Sequence, residues 1–442
     1  MLRSLSLRRA AGRLLAAGLL LAAPVPAVAG ESGSLTAAVA EKASGDLRAF
    51  YAHRATPLWV TPEGSLRPAA RELLQLIETA DYDGLDPASL QANKLEAALQ
   101  GAQADPSPAA LAAAELALSA ALGSYVEAML ALPSGAGVIY EHDVLRPVAP
   151  TAPTVLQAAA DAPSLEEYVT GMRWMHPLYA QIRRNLTGSV DDPSLVLAAR
   201  ASLQRVRAIP APPWSRHVVI DAASARLWMY EGDRVVDSMR VVVGKADLPT
   251  PMMAGYLRQA VLNPYWNVPE HLVRQTIAAG VLRQGTRYLR VRGYEVLADW
   301  SDDPAPLDPA QVDWRAVAAG RQELRVRQKP GPLNAMGDVK FEFPNPEGIY
   351  LHDTPDKDLL LADARQFSNG CVRLEDAERL GRWLLGGAMP GATGPETRVD
   401  LRQPVPIYIT YLTVQSDGDG LALGSDPYGR DGGASAALAR AH

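Results

Sequence analysis

Cys371 is the only cysteine in 442 residues, and it sits in Ser368-Asn369-Gly370-Cys371-Val372-Arg373. A lone thiol cannot close an internal disulfide, so it is either a small apolar filler or a reagent. As a reagent it attacks a carbonyl only as thiolate, and a free thiol with a pKa of about 8.5 needs a base or a positive field to get there. Three features offer that help. Ser368-Asn369-Gly370 allows a tight turn whose N–H groups converge on one point. A helix beginning near Leu374 would set its N-terminus beside the sulfur. Arg373 adds a positive charge. The N–H groups of Gly370 and Cys371 would also suit the oxyanion of a tetrahedral intermediate.

The base candidate is His352, in Tyr350-Leu351-His352-Asp353-Thr354-Pro355. It ends a strand that Pro355 stops. A loop of the intervening length can return the chain so that His352 faces Cys371, the pairing that covalent acyl transfer requires. The plainer reading is a strand-end histidine bonded to Asp353. Spacing alone leaves both open.

The elements that must position these groups follow from texture. Residues 1–29 carry a basic start (Arg3, Arg8, Arg9, Arg13), the apolar run Leu14 to Ala23 and the small-residue site Ala27-Val28-Ala29. Together they read as an export signal and place the mature chain in the periplasm; a retained membrane anchor is the alternative, and the export route is left open. No later stretch is expected to cross a membrane. Residues 30–207 are rich in Ala and Leu at helical spacing and read as an all-helical scaffold, with a long helix or helix pair over Leu111 to Leu132. Residues 208–215, proline-rich, read as a stiff linker. From 216 to 415 short strands separated by turns predict a mainly antiparallel β-sandwich-like domain with helices at its edge, making the whole an α+β multidomain chain. Residues 270–325 interrupt the strands, as a lid over the site or as a plain insertion. Residues 416–442 read as a flexible tail. The formal charge of −6, more negative once the signal's arginines are removed, disfavours nucleic acid and anionic membrane surfaces as partners. Without CxxC or HExxH there is no support for zinc, and no metal or cofactor is expected.

The two motifs together resemble the histidine and cysteine motifs of the L,D-transpeptidase (YkuD-type) catalytic domain. Upstream, Val243-Gly244-Lys245 with Thr250-Pro251, Asn263-Pro264-Tyr265-Trp266-Asn267-Val268-Pro269, and Pro330 to Gly337 followed by Lys340-Phe341 and Phe343-Pro344-Asn345 are similar to the first part of that domain. Tyr51-Ala52-His53-Arg54 and Pro57-Leu58-Trp59 resemble the helical scaffold of the large periplasmic, YcbB-like branch. The resemblance implies a peptidoglycan enzyme acting on tetrapeptide stems as donor and acceptor and making 3→3 cross-links through a cysteine acyl-enzyme. It makes Cys371 the nucleophile, His352 the base, Gly370 and Cys371 the oxyanion donors, and Tyr350, Arg373, Trp266, Asn369 and Ser368 the lining of the donor site. Two departures stand out. Many members have histidine where this chain has Asn369, an amide that orients but does not titrate. Larger members often insert a wall-binding module, for which Met175-His176-Pro177-Leu178-Tyr179 leaves little room, so targeting would fall to the scaffold, the insertion or other cell-wall synthesis proteins. Hydrolysis of stems by a carboxypeptidase, a catalytically dead wall-binding protein and a cysteine-linked dimer are the competing readings.

Overall fold

The structure, a computed structural model, describes residues 30–131, 137–186, 192–211, 216–301, 303–416 and 420–432. The expected export signal, residues 212–215 of the expected linker and the tail from 433 onward lie outside the described residues.

The helical part is organised around Pro108–Leu130. Ser107 caps it by accepting the Ala110 N–H, and Pro108 occupies the first turn, where no amide partner is needed. This single helix replaces the expected helix or helix pair. It is apolar on nearly every face, so it is surrounded by other helices rather than laid on a surface. By length and composition it is long and apolar enough to cross a membrane, contrary to the expectation that nothing after the signal would be. Its buried polar groups say what it does in the fold. The Glu115 carboxylate, fully buried, accepts the N–H groups of Leu58 (2.5 Å), Trp59 (2.9 Å) and Val60 (3.1 Å) and the Tyr51 hydroxyl (2.6 Å). Ser119, one turn on, accepts the Trp59 indole N–H at 3.0 Å. The helix therefore nails the Pro57-Leu58-Trp59 loop into the core.

A second buried hub is Asp83. Its two carboxylate oxygens take the Tyr125 and Tyr179 hydroxyls, each at 2.7 Å, and the Arg183 Nε at 2.8 Å. Arg183 continues to the Thr79 carbonyl and hydroxyl. In the sequence Asp83 reads only as part of a turn, Asp83-Gly84-Leu85-Asp86-Pro87.

In the β-rich part eight strands close on themselves: β1 Arg216–Asp221, β2 Arg226–Glu231, β3 Arg234–Gly244, β4 Met253–Leu262, β5 Val339–Glu342, β6 Leu351–His352, β7 Val372–Leu374 and β8 Thr397–Thr410. Around the ring the order is β4-β5-β6-β7-β3-β2-β1-β8 and back to β4. Most neighbours are antiparallel, as expected, but β6/β7 and β1/β8 run parallel. The long β8 serves both β1 and β4 by shifting register between Asp400 and Val405. Leu227, Val241, Phe341, Leu351, Val372, Leu374 and Ile407 fill the interior, and the helix Ala377–Leu385 covers it with Leu380 and Leu384.

The stretch expected as lid or insertion is a packed unit of its own. Val268, Val273, Ile277, Trp314, Val317 and Val326 form its core, under a small sheet of Trp266–Asn267, Arg325–Gln328, Tyr294–Leu297 and Pro306–Leu307.

The two halves are interlocked rather than strung on a linker. Ile139–Tyr140, leaving the helical part, adds in parallel to β4. Ile209, expected in the linker, is buried against Leu145, Val219, Ala254 and Tyr408. The stretch from 416, expected to be flexible, is ordered where described. Leu421–Leu423 pairs with Val414–Ser416, and that hairpin returns to the helices Pro177–Leu186 and Pro193–Val206. Leu412 and Val414 are part of the helical core. At the same junction His176 and His217 meet with Nε2 atoms 3.0 Å apart. Because Leu178 N–H donates to His176 Nδ1, His176 carries its proton on Nε2 and donates it to His217. Both rings are buried, which holds His176 well below the usual histidine range and His217 at about 4.

Removing Asp83 strips the buried Arg183 guanidinium of its anion and leaves two tyrosine hydroxyls unmet. Asp83→Ala is expected to lower unfolding stability by about 3–5 kcal/mol, read from the denaturant midpoint. A loss below about 1 kcal/mol would show that the hub carries little of the scaffold's stability.

Candidate active site

The site is built by strand alternation. In β6 and β7, Leu351 pairs with Val372 and His352 with Arg373, and Val372 N–H donates to Tyr350 O at 2.9 Å. Leu351, Val372 and Leu374 are fully buried in the barrel interior. Successive side chains leave a strand on opposite faces. Tyr350, His352, Cys371 and Arg373 are therefore delivered together to the outer face. Four of the residues singled out from sequence converge here.

The turn before Cys371 is held by Ser368. Its hydroxyl accepts Gly370 N–H at 3.1 Å and donates to Cys371 O at 2.6 Å. Gly370 sits at φ +116°, a conformation that L side chains rarely adopt. This bears on one expectation: of the two N–H groups expected to face an oxyanion, that of Gly370 is already committed to Ser368 Oγ. Asn369 is exposed on the same turn. The Cys371 Sγ faces Gly348 O at 3.7 Å. That loop is shaped by Asn345, whose side chain donates to Phe343 O (2.7 Å) and Ile349 O (2.9 Å) and accepts Ile349 N–H (3.0 Å).

His352 is buried, with Nδ1 2.6 Å from Asp353 O. A carbonyl only accepts, so Nδ1 bears the proton and Nε2 keeps its lone pair. Asp353 is itself fixed: its side chain takes Lys357 Nζ (2.7 Å) and Asp338 N–H (3.0 Å). The plainer reading of His352, a histidine bonded to Asp353, is thus present through the backbone carbonyl, and it gives the tautomer a base needs.

Electrostatically the site departs from expectation. Burial raises the Cys371 thiol above its ordinary value, against the lowering pull of a hydrogen bond from the Tyr350 backbone and the Arg373 charge. The expected helix N-terminus does not help. Leu374 ends a strand, and the helix begins at Ala377 with its N-cap Asp376 bonded to Arg379 N–H. Burial, then Arg373, hold His352 at about 4. The resting pair is a neutral thiol and a neutral imidazole. Arg373 is about one-fifth exposed and has only a long contact, 3.5 Å, to the exposed Asp356, so it can receive another anion.

Trp266 is not brought to this cluster. It packs in the small sheet of the insertion, its ring 6.3 Å from Tyr294. Lys340, which the sequence offered only as part of a motif, pairs across from His352. Its Nζ contacts Glu342 (2.9 Å) and lies over the Tyr350 ring at 5.6 Å. A lysine in a strand whose neighbour Phe341 is fully buried was the available signal. Thr250, fully buried, carries no local signal of a site role, because its partner, Gly370 O at 2.7 Å, is distant in sequence. A cavity of about 590 Å³ is lined by Asp338, Asp353, Lys357 and Asp376 and does not include His352. Another, of about 640 Å³, is remote from the thiol, beside Arg173 and Asp233.

Comparison with known proteins follows the same division. Residues 215–407 match the L,D-transpeptidase catalytic domain, and residues 45–186 match a scaffold domain. A Haemophilus influenzae protein provisionally named as an L,D-transpeptidase is 29% identical over 288 residues, 62% of this chain and 57% of that protein. The matched stretch is thus little more than half of that relative's length. Among solved structures, an L,D-transpeptidase from Mycobacterium smegmatis is 12% identical, with a TM-score of 0.23 over 44% of this chain and 58% of that one. The Ldtfm–avibactam carbamoyl enzyme is 12% identical, with a TM-score of 0.21 over 44% and 49%.

A thiol raised by burial has an alkylation rate that follows its thiolate fraction. The iodoacetamide rate at Cys371 is expected to climb roughly tenfold per pH unit between pH 6 and 8, with no plateau in that range. His352, at about 4, stays neutral throughout and adds no inflection. A plateau by pH 7 would mean a preformed thiolate–imidazolium pair.

Proposed function

On a chain that carries an L,D-transpeptidase catalytic domain behind a scaffold domain, we propose that Cys371 takes up the acyl group of a peptidoglycan tetrapeptide stem and passes it to a second stem. The observation that carries this reading is the delivery of Cys371, a lone-pair-bearing His352 and Arg373 to one sheet face by the β6/β7 pairing.

His352 Nε2 takes the thiol proton as sulfur attacks the carbonyl of the stem's diamino acid, and Cys371 N–H receives the resulting oxyanion. The tetrahedral intermediate collapses, the imidazolium returns the proton to the terminal D-alanine amine, and a thioester remains. The side-chain amine of a second stem then attacks the thioester, gives up a proton through His352, and releases the thiol with a 3→3 amide bond formed. Arg373 binds a stem carboxylate by a charge-assisted bond. That contact has a second effect. After burial, Arg373 is the charge that depresses His352, so a carboxylate bound to it would oppose that part of the depression. Tyr350 and Lys340 flank the donor groove, and Asn369, exposed on the turn, orients substrate rather than moving protons. Residues 1–29 direct the chain to the periplasm, where tetrapeptide stems are found.

After incubation with a carbapenem, intact mass is expected to show one stable adduct on the wild type and none on Cys371→Ala. An adduct on both, or on neither, would refute the acyl-enzyme. Digesting tetrapeptide-rich wall with the enzyme should yield new 3→3 dimers. Tripeptide stems alone would favour the carboxypeptidase. His352→Ala should lower turnover by about 10²–10⁴-fold, and Asn369→Ala by much less.

A further inference from the structure

The residues after the hairpin, 424–432, read from sequence as tail, yet they support the turn that presents the thiol. The Tyr428 hydroxyl donates to Gly244 O at 2.6 Å and accepts Thr250 N–H at 3.4 Å. Gly244 N–H donates to Thr250 Oγ1 at 2.8 Å, and that hydroxyl donates to Gly370 O at 2.7 Å. The packing here is tight. Any Cβ on Gly244 would run into Leu248 O and Thr250 N, so the backbones at 244 and 248–250 meet without intervening side chains. Gly370 O and Cys371 N–H are opposite ends of one planar peptide unit. A hydroxyl that fixes the oxygen therefore fixes the direction of the N–H. Gly370 N–H is already spent on Ser368, so the aim of Cys371 N–H matters more than it would in a two-donor site.

Tyr428 is itself firmly placed. Its ring stacks on Tyr411 at 5.2 Å, and its N–H donates to the Tyr411 hydroxyl at 2.8 Å. Asp426 accepts the Tyr411 hydroxyl and the N–H groups of Arg430 and Asp431. The Arg430 guanidinium covers both rings, at 5.0 and 5.2 Å. Asp431 pairs at 2.8 Å with Arg205, on the helix Pro193–Val206, and Arg205 donates to Tyr411 O at 3.2 Å.

We propose that Tyr428 is a positioning residue for acyl transfer: through Gly244 and Thr250 it holds the Gly370–Cys371 peptide so that the Cys371 N–H meets the oxyanion. The inference rests on the acyl-enzyme reading above. It assigns the C-terminal segment a part in the chemistry although none of its residues touches substrate.

The test compares two reactions of the same sulfur. Acylation by a carbapenem passes through an oxyanion, whereas alkylation by iodoacetamide is a direct displacement that forms none. Tyr428→Phe keeps the stacked ring and removes only the hydroxyl. It is expected to slow acylation by about 10–100-fold while alkylation stays within about twofold of wild type, with KM for the stem little changed and kcat reduced. Thr250→Val should behave alike, and Thr250→Ser, which restores the hydroxyl, should recover most of the rate. Acylation of Tyr428→Phe at the wild-type rate would overturn the inference. So would acylation and alkylation falling by the same factor, because that is the mark of a general disturbance of the fold. A wild-type enzyme that alkylates but accepts no acyl group would remove the acyl-enzyme reading itself, and this inference with it.

Discussion

The site depends on the parallel register of β6 and β7. Leu351 opposite Val372, and His352 opposite Arg373, is a pairing in which one face is wholly apolar and the other wholly functional. Burying Leu351, Val372 and Leu374 in the interior contributes about 1.5–3 kcal/mol for each side chain. The outer face is positioned by that gain together with its own hydrogen bonds at His352 and at the Ser368–Cys371 turn. A one-residue slip would turn His352 and Cys371 toward the core and the aliphatic side chains toward solvent. Core packing and catalytic geometry are thus two faces of one constraint, and neither can relax without the other. The closed ring of strands enforces this, because β6 and β7 are each short and are held on both sides, by β5 and β3.

Burial also sets the resting chemistry. The same desolvation that lowers His352 raises Cys371, so both groups wait uncharged. A pre-ionised pair would react with electrophiles at rest, whereas a neutral pair acts when something changes the local field. Arg373 is placed to do this. It depresses the imidazole and favours the thiolate, and its own partner Asp356 is distant and exposed. A bound carboxylate would relieve the imidazole of that charge. Under the proposed reading, substrate recognition and base strength would be linked through this guanidinium.

How much of this could be read from sequence depends on range. Cys371, His352 and Arg373 were visible because their motifs are contiguous, and the strand end at Pro355 and the turn at Gly370 are local signals. The strands of the barrel were visible by period. Leu374, Ala377, Leu380 and Leu384 share helical spacing and are all buried, yet the strand–helix junction falls inside that pattern. The one period spans a strand end and a helix, so it places the helix N-terminus nearer the sulfur than Ala377, where the helix begins. The Gly370 N–H was assigned to the oxyanion because nothing in the motif reveals that the Ser368 hydroxyl folds back on it. Thr250 and Tyr428 were not visible as support, since their partners lie far away in sequence. The composition of 416–442, rich in glycine and small polar residues, averages away Tyr428 and Asp426, whose hydrogen bonds pin 424–432. Pro108–Leu130 fails in the opposite sense. Its composition alone is that of a membrane span, and only the tertiary partners of Glu115 reveal a core helix.

The interlocking of the two halves gives the scaffold a role that a linker would not allow. Three separate stretches cross the junction: Ile139–Tyr140 on β4, the residues up to Ile209 packed on the barrel, and the hairpin at 414–423 returned to the helices. The segment 424–432 then runs from Arg205 on the scaffold side to Gly244 at the end of β3, next to the nucleophile's turn. A displacement of the helix Pro193–Val206 would therefore reach Gly370 through four residues in contact, Arg205, Tyr411, Tyr428 and Thr250. Each link is a hydrogen bond, the longest being the 3.4 Å contact from Thr250 N–H to the Tyr428 hydroxyl. The scaffold is in that sense a structural extension of the turn that carries the thiol.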